Sequence, residues 1–198
     1  PISDLYLSPH ELPMLERKPS SVFYGRFRDD VVAIGPARIV QRMLQDLQRA
    51  CGPMQLILKE PSRSAEFLDV TLSMSAKGTV QFETYRKPNN AYLYLAPNSA
   101  HPKHSKIGWI CGELTRLHRT NSTQAGFIKH TQIFFKALRK RGYGSNLTSK
   151  AYNRWLNSID GIVTFPGPST PVRLLPLVPN HGMPMTQAPP LVLSLIHI

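Results

Sequence analysis

The sequence predicts an α+β protein: a largely antiparallel sheet with one packed helix, then a small basic helical unit, then a disordered Pro-rich tail. Three observations predict it. Apolar runs rich in Phe, Tyr and Val fall before residue 95 without alternating with helices, which argues against a doubly wound parallel sheet. One strongly amphipathic helix sits among those runs. Cationic residues then concentrate: residues 101–154 hold eleven Lys/Arg and one acid, Glu113, whereas residues 1–100 hold twelve Lys/Arg and ten acids. The expected division is therefore 1–95, 96–160 and 161–198.

Residues 1–22 have apolar side chains at Ile2, Leu5, Tyr6, Leu12, Met14 and Leu15, but Pro9 and Pro13 interrupt them. A short helical end followed by a loop is expected, because an internal proline removes a helix donor and clashes with the preceding turn. Residues 23–34 read as a β-hairpin, with Asp29-Asp30 at or beside its turn. Gly35-Pro36 closes the hairpin and sets Pro at a helix start. A helix over 37–51 follows, with Ile39, Val40, Met43, Leu44, Leu47 and Cys51 at helical spacing and Gly52-Pro53 as its stop. Strands are expected at 54–59, at 67–74 and from Val80 to Phe82 or Tyr85, with Lys77-Gly78 as a turn. A short apolar run, Tyr92 to Leu95, comes after Asn89-Asn90.

Helices are predicted over 105–119, 123–141 and 146–158, the first with Ile107, Ile110, Cys111, Leu114 and Leu117 on one face. The second ends in Arg139-Lys140-Arg141-Gly142, cations at the negative end of the helix dipole and a glycine stop. Prolines dominate the tail, to which no fold is assigned. Its last six residues, Leu193 to Ile198, resemble the in-frame translation of a sequencing adaptor and are expected to carry no function.

The net charge of +12 on 198 residues resides almost wholly in the helical segment. A polyanion is the expected partner, nucleic acid first. No apolar run is long enough to cross a bilayer, and no membrane partner is expected. Cys51 and Cys111 lack metal-ligand spacing and read as small buried hydrophobes.

Asp29-Asp30 is the sharpest local feature. Two adjacent carboxylates suit a hard divalent cation with oxygen ligands, Mg²⁺ or else Mn²⁺. Ordinary turn chemistry also explains them, because turns favour Asp for local reasons. Tyr24-Gly25-Arg26-Phe27-Arg28-Asp29-Asp30-Val31-Val32 resembles the active-site hairpin of reverse transcriptases. Phe67-Leu68-Asp69-Val70, Tyr85-Arg86-Lys87-Pro88, Tyr92-Leu93 and His101-Pro102-Lys103-His104-Ser105-Lys106 follow in the order found in reverse transcriptases of Penelope-like retroelements. The resemblance covers about residues 1–155.

That resemblance implies a partial polymerase palm followed by a helical thumb. It implies DNA synthesis on an RNA template from a DNA primer and deoxynucleotides, with two Mg²⁺ ions. By motif match Asp29 and Asp30 are the catalytic and metal-binding residues. Arg86, Lys87, His101, Lys103, His104, Lys106, Arg139, Lys140 and Arg141 are candidates for contact with the nucleic acid. Lys59 is a weaker candidate proton donor, and Asp69 a structural residue. A nuclear location is implied for a eukaryotic retroelement. Phe27 stands where the family usually has Tyr, and Arg28 sets a cation beside the acids, a mark of a decayed copy. Asp4 and Glu11 lie too close in sequence to serve as the further upstream carboxylate. The chain is thus expected to be a fragment, inactive alone. The alternative is a non-catalytic nucleic-acid-binding remnant.

Overall fold

The computed structural model describes residues 2–52, 54–59, 61–76, 78–159 and 191–197. The protein is α+β, as expected, with five helices and two antiparallel sheets among the described residues. It divides into two compact units. The first comprises residues 1–81 with the C-terminal strand, and the second begins at Phe82 and holds three helices. The sequence placed this boundary near residue 95. It falls earlier because the segment after Gln81 bonds and packs with the helices.

The first unit opens with α1 (Ile2–Glu16). This helix runs through Pro9 and Pro13, where a break was expected. Both prolines are exposed. The carbonyls of Leu5 and Pro9, which lose their helical donors, therefore lie on the wet side. The opposite side buries Leu7 completely and Glu11 almost so, with Met14 against the same core. The core thus holds together a helix that local propensity would break.

β1 (Phe23–Phe27) and β2 (Asp30–Pro36) form the predicted hairpin, with Phe27 opposite Asp30. α2 (Ala37–Ala50) follows, buries Val40, Met43, Leu44 and Leu47, and caps on Pro36 as expected. Each such side chain contributes about 1.5–3 kcal/mol on full burial. They meet Val31 and Ala33 of β2 in one cluster with Leu7, Val22 and Cys51. The chain leaves α2 at Gly52, where φ is +60° and a side chain would be strained.

The predicted strand at 54–59 shortens to β3 (Ile57–Leu58). The strand expected over 67–74 is instead a second hairpin: β4 (Ser64–Phe67) and β5 (Val70–Met74) turn at Leu68-Asp69. β6 (Val80–Thr84) completes the sheet β4-β5-β6.

β7 (Leu191–His197) lies between β2 and β3 in the sheet β1-β2-β7-β3 and is antiparallel to both. This corrects the expectation that the tail has no fold and that its apolar end is disordered. β2 buries Val31 to Ile34, and buried backbone donors and acceptors need partners on both edges. A seven-residue apolar run supplies them. The expected disorder of the Pro-rich stretch up to residue 190 lies outside the described residues.

The second unit contains α3 (Lys103–Arg119), α4 (Gln124–Lys140) and α5 (Ser145–Ser158), each within two residues of its predicted limits. Ile107, Ile110, Leu114 and Leu117 of α3 meet Phe127, Phe134 and Leu138 of α4 and Ala151 and Trp155 of α5.

Candidate nucleic-acid interface and the acidic hairpin

Asp29 occupies the tip of the first hairpin and is exposed, and Asp30 is the half-buried first residue of β2. Arg28 before them has φ of +58°, and its guanidinium lies over the Phe27 ring at 5.4 Å. The hairpin at Leu68-Asp69 has the same form: Phe67 opposite Val70, Leu68 with φ of +53°, and Asp69 second in the turn. Asp29 and Asp69 therefore hold equivalent turn positions, where a short polar side chain is ordinary. What distinguishes the first hairpin is the second acid, Asp30. The two carboxylates suit a hard cation by donor type but form only part of a coordination shell, and Arg28 places a positive charge in the same turn.

The hairpin is fixed to α1 by a side chain that the sequence reading set aside. Glu11 is 5% exposed. Tyr24 donates its hydroxyl proton to Glu11 Oε1 at 2.5 Å, and Arg26 donates Nε–H to Oε2 at 2.8 Å. Arg26 Nη1 also donates to the Arg28 carbonyl at 3.0 Å. Strand alternation puts Tyr24 and Arg26 on one face of β1, and Glu11 meets both. Burial, then the bond to Glu11, raises the Tyr24 phenol far above its usual range.

The second unit is built by polar as well as apolar contacts. The four residues between α3 and α4, Thr120-Asn121-Ser122-Thr123, are all polar. They bond to β6. Ser122 N donates to the Phe82 carbonyl at 2.8 Å, and Phe82 N donates to Ser122 Oγ at 3.0 Å. The Asn121 amide accepts from Thr84 N at 3.3 Å and donates to Thr84 Oγ1 at 2.8 Å and to the Leu117 carbonyl at 2.6 Å. Thr123 then caps α4 by accepting from Gly126 N. A Cβ on Gly126 would come within 2.9 Å of Asn121 Oδ1.

α4 ends in a Schellman turn: Gly142 N donates to the Arg139 carbonyl and Tyr143 N to that of Leu138. Gly142 has φ of +93°, which glycine adopts without the steric cost of a side chain. Tyr143 is buried, and its hydroxyl donates to the Leu95 carbonyl at 2.9 Å. The four-residue turn thus leaves α4 and enters α5 with a fixed geometry.

The candidate cations separate into two groups. Lys87, His101, Lys103, His104, Arg139, Lys140 and Arg141 are exposed, although Arg141 also donates Nε–H to the Tyr94 carbonyl at 3.0 Å. Lys106 and Arg86 differ from the expectation of surface cations. Lys106 is 7% exposed, and its ammonium donates to the carbonyls of Pro97 at 2.6 Å and Ser99 at 2.8 Å. It straps the loop onto the start of α3. Arg86 lies over the Tyr92 ring at 4.9 Å and donates to His130 Nδ1 and to the His130 carbonyl, both at 3.3 Å. Its guanidinium is committed within the unit.

His130 is buried, with Nε2 3.4 Å from Glu83 Oε2, and Lys129 pairs with the same Glu83 oxygen at 2.8 Å. Burial lowers the His130 pKa below its ordinary 6.5, helped by Arg86 and Lys129 and opposed by Glu83. The hydrogen bond from Lys129 lowers the Glu83 carboxyl below its ordinary 4.5. The unfolded chain therefore binds protons first at both groups. Stability from His130 is complete above 6.5 and is lost as pH falls from there through the folded value, and Glu83 loses its share below 4.5. Thermal melting should accordingly give a lower Tm at about pH 5 than at about pH 8, and His130→Gln should flatten the decline that begins near 6.5. An unchanged pH profile in that variant would exclude His130 as the source.

One further surface was missed. α5 carries no acid; its side opposite Trp155 presents exposed Asn146, Lys150, Asn153 and Asn157, and exposed Arg154 lies at the edge of that side. The spacing of the asparagines, seven and then four, was readable as a single helical stripe.

Residues 93–153 match the family described as the animal helix-turn-helix domain. The match covers less than half of the chain. It takes in α3, α4 and all but the end of α5. Helix-turn-helix segments are a nucleic-acid-binding class. No curated protein and no solved structure matches the chain. No helix among the described residues is long and apolar enough to cross a membrane.

Proposed function

We propose that the second unit is a nucleic-acid-binding module that engages duplex through phosphate contacts. The observation that carries this is a helical unit with a helix-turn-helix match whose charge is almost entirely of one sign. From Phe82 to Ile159 it has thirteen Lys/Arg against Glu83 and Glu113. Lys103 and His104 in the first turn of α3 oppose its dipole, so an anion there offsets a standing cost. Lys87 and the Arg139-Lys140-Arg141 turn extend the cationic surface.

The test is the salt dependence of duplex binding by the full chain. Binding should weaken by roughly 10³–10⁵ between about 50 mM and about 200 mM salt if six to ten phosphates are contacted. Replacing Lys140 with Gln should reduce the slope by about one. Binding that does not respond to salt would overturn the reading.

A second reading is favoured by the paired acids at the hairpin tip. In it the chain is part of an RNA-directed DNA polymerase of a Penelope-like retroelement, and the basic unit grips the RNA template and DNA primer. Asp29 and Asp30 would hold Mg²⁺, which supplies activation of the primer hydroxyl and stabilisation of the pyrophosphate leaving group. The chain alone should not extend a primer. A form extended upstream by an acid-bearing strand should do so with deoxynucleotides, and Asp29→Ala should abolish extension while leaving duplex binding intact. Extension that survives Asp29→Ala would remove the acids from catalysis.

A further inference from the structure

We infer that a groove between α4 and α5 docks a short acidic segment of another protein, seated by one Trp or Tyr side chain. Phe127, Ile128, Thr131, Gln132 and Phe135 of α4 line the groove with Tyr152 of α5. Ile128 is 46% exposed, so water meets this apolar wall until a partner covers it. The groove encloses about 220 Å³, whereas sites for whole small molecules hold roughly 300–1,000 Å³. It therefore suits one large side chain, the kind of buried anchor that dominates many protein interfaces. Thr131 is 8% exposed, and its hydroxyl has no hydrogen-bond partner among the described residues. Threonine takes two χ1 settings in a helix, so this hydroxyl can turn to a ring seated beside it. An indole N–H or a phenol offers it a partner, and a plain phenyl ring does not.

Charge selects the flanks of the occupant. Neither helix carries a carboxylate. Arg139 continues the row of Ile128, Gln132 and Phe135 by one helical step, Lys136 follows Phe135, and both cations are exposed. Asp or Glu beside the anchor complements that rim. Ring geometry favours a peptide over single-stranded nucleic acid. Phe127 already stacks on Trp155, and Phe135 and Tyr152 meet edge to face at 71°. The groove thus presents no pair of parallel faces on which successive bases could stack. This function goes beyond duplex binding, because a peptide needs the groove and a phosphate does not.

The full chain should be offered a displayed library of randomised peptides at about 150 mM salt, where exposed charges are screened beyond about 8 Å. Selection should enrich peptides with Trp or Tyr beside Asp or Glu. An enriched peptide, added to the labelled chain, should shift the amide resonances of Ile128, Thr131, Gln132, Phe135 and Tyr152. Ile128→Gln removes the exposed apolar wall and keeps a good helix former, so it should fold with an unchanged far-ultraviolet dichroism spectrum and bind roughly 10-fold more weakly. Thr131→Val should weaken the same peptide by roughly 2- to 10-fold, yet leave unchanged the binding of its Phe-anchored version. Lys136→Glu with Arg139→Glu should remove the acids from the selected consensus. No enrichment overturns the inference, as it would if a second copy or residues beyond Ile159 already filled the groove. Peptide binding that survives Ile128→Gln, or that shifts other residues, also overturns it. So does a single-stranded oligonucleotide that shifts the groove residues at lower concentration than the peptide. A chain that binds the peptide and ignores duplex leaves this inference standing and removes the nucleic-acid reading.

Discussion

Trp155→Ala should destabilise the helical unit by about 3–5 kcal/mol, the usual cost of deleting a fully buried large aromatic. Trp155 is 1% exposed and stacks on Phe127, with centroids 5.4 Å apart and rings inclined at 29°. His118 of α3 meets it edge-on at 6.0 Å, and its indole N–H donates to Thr115 Oγ1 at 3.2 Å. One side chain thus ties α5 to both other helices. Its removal leaves a cavity where all three meet and frees Thr115 of its donor. Urea denaturation followed by circular dichroism gives the stability change, and Trp109 remains as a fluorescent reporter in the variant. Duplex binding should fall with it, although Trp155 is buried, because the outward face of α5 depends on what anchors the inward one. Trp155→Phe keeps most of the volume and should cost less than half as much. A loss under about 1 kcal/mol for the alanine variant would mean that the site collapses around the gap or that the unit is held otherwise.

The elements that periodicity could reveal were readable in the sequence. α2 and the three later helices repeat apolar residues at helical spacing over three or more turns, and their limits are off by at most two residues. Elements set by tertiary contact were not readable. Leu68-Asp69 contains neither glycine nor asparagine, and a single Asp inside an apolar run is a weak turn signal. α1 survives two prolines only because Leu7, Glu11 and Met14 pack on the far side. Asn121 and Ser122 look like any polar linker until β6 offers them backbone partners.

The candidate interface divides in the same way. Charge counting located the basic unit, and the family match independently marks nearly the same residues. It did not reveal which cations face outward. Lys106 and Arg86 count as surface charges in a sequence, yet each is drawn inward by carbonyls or rings. In the proposed nucleic-acid reading, phosphate contact would therefore fall to Lys87, Lys103 and the turn after α4. The asparagine stripe on α5 is visible as a spacing but carries no charge, so charge counting does not mark it.

Glu11→Ala should be as costly as Trp155→Ala, about 3–5 kcal/mol, because it removes one member of a buried ion pair and leaves the other. The side chains of Glu11 and Arg26 are 6% and 11% exposed. Without Glu11 the Arg26 guanidinium is a buried cation whose counter-charge is gone, and the Tyr24 hydroxyl loses its acceptor. Both sit on the strand that leads into the Asp29 turn. Apart from Glu11, α1 is held there by Leu7, Met14 and the Tyr6 hydroxyl, which donates to the Cys51 carbonyl at 3.1 Å, while Leu5 and Leu12 are exposed and its two prolines weaken it internally. The variant should therefore lose α1 first, seen as faster amide exchange over residues 5–16 and in β1, before α2 is affected. Glu11→Gln keeps an acceptor for Tyr24 and removes only the charge, so it should fall between the native protein and the alanine variant. Replacing Glu11, Tyr24 and Arg26 together by Met, Phe and Leu should recover much of the loss, as apolar groups of similar volume often substitute for a buried ion pair without penalty. If that triple variant is no more stable than Glu11→Ala, the cost lies in packing rather than in an unpaired charge. In either case the position of the acidic turn depends on a buried carboxylate that bonds Tyr24 and Arg26, 18 residues before the pair that the turn displays.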